Sequence, residues 1–307
     1  MTAEVNNITE GNNKIGELGE NEFYREAFQR NIGILTQEEQ EKLRNAKIAI
    51  AGMGGVGAIH LATLTRMGMG NFNIADADFY ELPNIQRQFG AYTSNLGKNK
   101  AEVMEKIARE INPFLKLKVF PENISEKNID KFLDKIDIFI DGIDAFNIDA
   151  RRLIFKKAKN MGIWSITAGP LGFSSALLVF SPDGMSFDDY FGLSNHMSDE
   201  DKIISFLVGL APAGLHMKYI NPRSVDFKAK TGPSMVSACN LCSSLAATET
   251  LKIILNRGKI RTAPRYLQFD PYMIKLKKGW LVGGGKNPLQ FIKRYYAKKI
   301  LRGIGSI

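Results

Sequence analysis

Cysteine is scarce. The chain of 307 residues has two, Cys239 and Cys242, with only two residues between them. No disulfide framework can be built from such a pair, which fits a reducing, cytoplasmic setting. Long hydrophobic runs are missing as well; none nears the roughly 20 residues that a bilayer-spanning helix needs. The amino terminus is polar and rich in Asn and acid, without the basic-then-apolar order of a secretory leader. Acid is absent from residues 286–307, which carry Lys286, Lys293, Arg294, Lys298, Lys299 and Arg302, six of the nine net positive charges. The remainder is only mildly basic, so a broad nucleic-acid-binding face is not the favoured reading, and neither is a membrane protein. The composition, 44% hydrophobic and 24% charged, is that of a soluble globular chain long enough for a large core.

Strand and helix patterns alternate. Residues 1–19 read as a polar arm. Residues 20–45 read as helix, with a helix start at Thr36 ahead of Glu38, Glu39 and Gln40. Strands are expected at 47–51, 72–75, 115–120, 136–140, 163–167 and 176–180, with helices at 58–67, 100–111 and 149–160. This alternation implies an α/β fold, a doubly wound, mainly parallel Rossmann-like sheet with right-handed crossovers. A long helix over 233–255 and strands near 266–269 and 273–276 imply an antiparallel C-terminal addition. Residues 181–231 are irregular, and long segments of that kind often carry function. The organisation expected is an arm and helix over 1–45, a main domain over 46–280 and a basic tail over 281–307.

The chemistry concentrates in one stretch. Gly52, Gly54 and Gly57 fit the G-x-G-x-x-G turn between a strand and a helix, with Gly55 inside it. Such a turn lets backbone approach phosphate closely and leaves helix N–H groups free for an anion. Asp76 follows some twenty residues on, where an acid can hold ribose hydroxyls, with Asp78 beside it. Next come Asn84, Arg87, Gln88 and then Lys100. A nicotinamide enzyme has no need of that cationic set; a site for a triphosphate does, since Arg offers a planar fork to phosphate oxygens and Lys a mobile point charge.

The ordered set, closed by Asp141-Gly-Ile-Asp144, resembles the adenylation domain shared by ThiF, MoeB and the ubiquitin-activating enzymes, over about residues 30–271. The resemblance implies ATP and Mg2+ as cofactors. It assigns ribose binding to Asp76 with Asp78, phosphate contact to Arg87 and Lys100, phosphate positioning to Asn84 and Gln88, and the magnesium to Asp144. Arg30, in Gln29-Arg30-Asn31, matches an arginine that relatives insert into a partner subunit's site, so a homodimer is implied. In many relatives an Asn follows the second acid at once; here Asn147 and Arg151 come later, which reads as a short insertion and leaves their roles open. Zinc is not expected, because relatives bind it through two C-x-x-C pairs and this chain has one.

The resemblance implies an adenylyltransferase acting on the C-terminal carboxylate of a small ubiquitin-like carrier protein or a peptide, with residues 181–231 holding the incoming chain. Two alternatives remain: a dehydratase of the same superfamily that adenylates a carboxyl on a modified tRNA nucleoside, and a non-catalytic nucleotide-binding partner subunit. A looser likeness, around residues 168–172 and 184–191, is to ThiF-like proteins joined to nitroreductase-type domains.

Overall fold

The computed structural model describes residues 18–226 and 229–303. Residues 1–17 of the expected arm lie outside them. Among the described residues the strands are β1 (Lys47–Ala51), β2 (Asn71–Ala75), β3 (Lys116–Phe120), β4 (Ile138–Asp141), β5 (Trp164–Leu171), β6 (Ser174–Phe180), β7 (Arg265–Asp270) and β8 (Lys275–Trp280). The helices are α1 (Glu20–Ala27), α2 (Gln37–Asn45), α3 (Gly57–Arg66), α4 (Lys100–Ile111), α5 (Ile129–Phe132), α6 (Ile148–Asn160), α7 (Phe187–Phe191), α8 (Asp199–Leu210), α9 (Val236–Ile254) and α10 (Pro288–Gly303).

All eight strands join one sheet in the order β3-β2-β1-β4-β5-β6-β7-β8. The first five run parallel and the last three pair antiparallel, as the strand–helix pattern implies. Because β2 lies on one side of β1 and β4 on the other, the chain reverses its direction of winding there. In open α/β sheets that switch point opens a crevice at the carboxyl ends of the strands.

Both sheet faces are covered. Successive strand side chains point to opposite faces, so Ile48 and Ile50 of β1 and Ile138 and Ile140 of β4 pack with Leu61 and Leu64 of α3 and Ala246 of α9. Ala49, Ala51 and Phe139 enter the opposite layer with Phe155, Phe180, Phe187 and Phe191. Burial on both sides explains why these parallel strands are near-continuously apolar. Ser243 ties α9 to α3, its hydroxyl meeting the Ile59 carbonyl at 3.1 Å and the Thr63 hydroxyl at 2.9 Å.

Two expectations change. The single helix over 20–45 is broken: α1 ends at Ala27, Gly33 takes φ +105°, and α2 starts afresh. Its cap is Thr36, whose hydroxyl accepts the Glu39 N–H at 3.1 Å while its own N–H donates to the Glu39 carboxylate at 2.9 Å. The irregular segment 181–231 holds α7 and α8, each started by a serine three residues before an aspartate: Ser186 caps Asp189 N–H and Ser198 caps Asp201 N–H. No described helix is long and apolar enough to cross a membrane.

The C-terminal helix α10 packs back on the fold with an inverted face. Lys298 pairs with Asp201 at 2.6 Å, Arg294 donates to the carbonyls of Phe191 (3.2 Å) and Gly285 (2.8 Å), and Lys293 donates to Pro212 at 2.7 Å. Phe291, Tyr295 and Tyr296 face outward, each more than half exposed. The preceding strand β8 is the sheet edge, with Lys275, Leu276, Lys277 and Lys278 all exposed.

Candidate active site

The glycine turn after β1 is held by backbone contact that tolerates no side chain. Gly52 has φ +88°, a conformation that glycine adopts freely and most residues do not. A Cβ on Gly142, in the loop after β4, would stand 2.5 Å from the Gly52 carbonyl oxygen and 2.8 Å from the Gly57 Cα. The loops after β1 and β4 therefore interlock, and α3 begins at the switch point between them.

Asp76, at the end of β2, is bound into this knot. One carboxylate oxygen accepts the Met53 N–H at 2.5 Å and the other the Asp78 N–H at 2.8 Å. Burial pushes its carboxyl up, and the two N–H donors pull it partly back. Lys100 is buried and closes the other side, its ammonium 3.1 Å from the exposed Asp78 carboxylate. Sequence reasoning missed Asn99, which caps α4 and donates to the carbonyls of Asp76 (3.1 Å) and Asp78 (3.3 Å). Its place just before a helix was the available signal.

Arg87 and Gln88 approach the loop from a short turn. A Cβ on Gly55 would meet Arg87 Cγ at 3.7 Å, and one on Gly54 would meet the Gln88 amide nitrogen at 3.8 Å. Gln88 is buried, and its side-chain carbonyl oxygen has no hydrogen-bond partner among the described residues. Asn84 belongs to the same turn; its side-chain oxygen accepts the Glu81 N–H at 3.0 Å. Cys239 also reaches the loop, with its sulfur 3.2 Å from a Cβ on Gly55. Cys242 instead accepts the Ser175 hydroxyl at 3.0 Å. Burial raises both thiols. Among the described residues no group of three or more His, Cys, Asp or Glu could hold a metal.

The two acids after β4 differ. Asp141 is buried; it accepts from Arg151 Nε at 2.8 Å, the Thr167 hydroxyl at 2.8 Å and the Ile143 N–H at 3.0 Å. Arg151 also donates to the carbonyls of Ile143 and Asp144 and lies over the Phe206 ring. Asp144 is exposed on the loop that interlocks with Gly52, and its carboxylate accepts the Phe146 N–H at 2.9 Å. The open question over Arg151 thus has an answer: it clamps the loop that presents Asp144.

Arg30 stands apart from this group. Its neighbour Asn31 donates to the Met67 carbonyl at 3.3 Å, just past the carboxyl end of α3. The glycine turn is at the amino end of that helix, about 15 Å away at 1.5 Å per residue. A wide cleft lined by Glu41, Asp137, Trp164 and Ile253 opens at the amino ends of the strands, on the opposite sheet edge, and includes none of the motif residues.

With glycine knot, ribose-type acid, buried lysine and exposed loop acid on one sheet edge, comparison with known proteins becomes decisive. The model of the ThiF family matches residues 28–279. The chain belongs to the ThiF family. Its relatives include a sulfur carrier protein adenylyltransferase of Thermus thermophilus, 27% identical over 72% of this chain and 74% of that protein. A tRNA threonylcarbamoyladenosine dehydratase of Haemophilus influenzae is 32% identical over 45% of this chain and 53% of that protein. An adenylyltransferase and sulfurtransferase of Lodderomyces elongisporus is 34% identical over 34% of this chain, and the match spans 23% of that protein's length. Among solved structures, PaaA has a TM-score of 0.64 at 20% identity, covering 86% of this chain and 84% of that one. The MccB protein of E. coli has a TM-score of 0.60 at 20% identity, covering 82% and 67%. These two likenesses establish the fold of this ThiF family member.

Proposed function

We propose that this ThiF family chain is an ATP-dependent adenylyltransferase acting on the C-terminal carboxylate of a small carrier protein or peptide. The observation that carries the reading is the gathering of Asp76, Lys100, Arg87 and Asp144 around one glycine turn. In the reaction a carboxylate oxygen attacks the α-phosphorus of ATP. The bond to the bridging oxygen breaks, and pyrophosphate leaves with the electron pair. No general base is required, because the carboxylate is already ionised near neutral pH. Catalysis then rests on positioning and charge. Asp76 stiffens the glycine turn and offers its remaining lone pairs to ribose. Lys100 and Arg87 bring positive charge to the phosphates.

Asp144 fits a magnesium ion: an exposed carboxylate on a loop held firm by Arg151 is the hard oxygen donor that ion takes alongside phosphates and water. Bound there, magnesium would neutralise phosphate charge. Arg30 is too far from its own chain's turn to serve it, which suits action on a second copy and hence a homodimer. The setting proposed is cytoplasmic.

Calorimetric titration tests the nucleotide. ATP with magnesium should bind, and Arg87→Ala or Lys100→Ala should weaken it; tight NAD binding with none for ATP would overturn the reading. A second reading, adenylation of a carboxyl on modified tRNA, is favoured by one observation. Residues 271–307 hold nine Lys and Arg and no acid, and Lys275, Lys277, Lys278, Lys293 and Lys299 are exposed. Binding of tRNA that falls steeply with salt, coupled to tRNA-dependent ATP cleavage, would favour it.

A further inference from the structure

A cluster of aromatic rings lies on the same sheet edge as the glycine turn, outside the glycine and acid motifs, and one of its members, Tyr219, belongs to the segment 181–231. Phe173, in the turn between β5 and β6, stacks on Tyr272 with ring centroids 5.0 Å apart and planes at 20°. Tyr219 meets both, at 5.6 Å and 5.5 Å. Yet Tyr272 is 67% exposed, so the rings present an open face rather than a core.

The cluster is built with care for its geometry. The Tyr219 hydroxyl donates to Asp270 at 2.7 Å and accepts the Phe173 N–H at 3.0 Å. Burial and the Asp270 carboxylate push that hydroxyl up to about 12. Asp270 is fully buried, and its other oxygen accepts the Met273 N–H at 3.0 Å. A Cβ on Gly172 would strike the Tyr219 ring at 2.5 Å, so only glycine lets that ring close in. The turn that carries Tyr272 ends at Ile274, which has φ +53°, an outlier for a β-branched residue. A buried carboxylate and a strained turn are costly ways to hold an exposed ring.

The cluster is continuous with the nucleotide loop. Gly172 bridges to Ser234, and the Ser234 carbonyl accepts from Gln86, two residues before Gln88, at 3.4 Å. The Ser234 hydroxyl is 3.9 Å from the Cys239 sulfur, which abuts Gly55. Neighbouring strands are about 4.8 Å apart, so the path from Gly55 to Phe173 is on the order of 12 Å, or three to four residues of extended chain at about 3.3 Å each.

We infer that Phe173, Tyr219 and Tyr272 seat one apolar or aromatic side chain of the substrate, about three or four residues before the carboxylate that is adenylated. This rests on the reading of the substrate as a polypeptide C-terminus. The rings are pre-set in place, so they select by burying a matching side chain without first being ordered. A charged side chain there would be desolvated without a partner.

The test uses synthetic peptides with a free C-terminal carboxylate that differ only at the third and fourth positions from the end, as Phe, Leu, Lys or Asp. ATP–pyrophosphate exchange with the full-length protein gives KM and kcat for each. Phe and Leu peptides should have KM values about tenfold below the Asp and Lys peptides with similar kcat, in keeping with what one apolar contact discriminates. Tyr272→Ala should erase that difference and leave ATP affinity unchanged, and Tyr272→Phe should keep it. Equal KM values across the panel, or discrimination that survives Tyr272→Ala, would overturn the seat. If no peptide supports exchange while ATP still binds, the polypeptide substrate itself is wrong and the seat falls with it; loss of ATP binding would instead count against the nucleotide reading.

Discussion

Lys100 and Asp78 are joined twice: ammonium to carboxylate at 3.1 Å, and Lys100 N–H to the Asp78 carbonyl at 2.9 Å. Main chain and side chain of one lysine are thus fastened to one aspartate, and the first turn of α4 is locked to the acid loop after β2. The lysine is buried while its partner carboxylate is exposed.

Lys100→Ala should lower carboxylate-dependent pyrophosphate exchange by about 100-fold or more, the usual cost of losing a charge that stabilises a developing anion. Lys100→Arg should not restore it, because a planar, forked guanidinium does not reproduce the compact point charge of the ammonium. Steady-state exchange rates at saturating ATP check this; an arginine variant with full activity would contradict it.

Asp141 and Asp144 should separate stability from turnover. Asp141→Ala strands Arg151 as a buried charge and should cost about 3–5 kcal/mol. Asp144→Ala removes one exposed hydrogen bond, costing about 1 kcal/mol at most, yet should abolish exchange. Urea unfolding beside activity measurements distinguishes them. An active, folded Asp144→Ala protein would remove that residue from the proposed site.

Arg30→Ala and Asp144→Ala chains should each be inactive alone and partly active when mixed and reassembled, since one intact site can then form across the two copies. Sedimentation of the mixture should give dimers. A fully active monomer would end the shared-site proposal.

Acid should weaken the fold between pH 6.5 and 4. Burial depresses His60 and His216 to about 4, from an ordinary value near 6.5. In that window the unfolded chain binds protons that the folded chain refuses, so stability is full above pH 6.5 and falls as the pH drops toward 4. Among the described residues neither ring nitrogen of His60 has a hydrogen-bond partner, so His60→Met should flatten the dependence without breaking a bond. Urea midpoints across this range measure the slope; an unchanged slope in His60→Met would refute the assignment.

The parallel sheet and its glycine turn were legible because short-range rules govern them. Short apolar strand runs bounded by turns, and the spacing of Gly52 and Gly57, carry their meaning locally. The capping box at Thr36 was legible for the same reason. What stayed hidden depends on partners distant in sequence. Nothing near Asp141 announces that Arg151 and Thr167 complete it, and nothing near Cys239 says that its sulfur fills the space a side chain on Gly55 would need. The break at Gly33 was masked by a helical pattern on both sides. In residues 181–231 the scattered Gly and Pro outweighed two serine caps that could have marked α7 and α8.

The open edge at β8 has its own consequence. An unpaired strand is a template on which other chains can grow, and long flat edges seed fibrils. Lys275 and Lys277 guard one face of this edge and Lys278 the other, so two molecules meeting edge to edge would bring like charges into register. These three lysines act as gatekeepers of colloidal behaviour. With all three replaced by threonine, the same fold would be expected to precipitate during concentration while its chemistry survived.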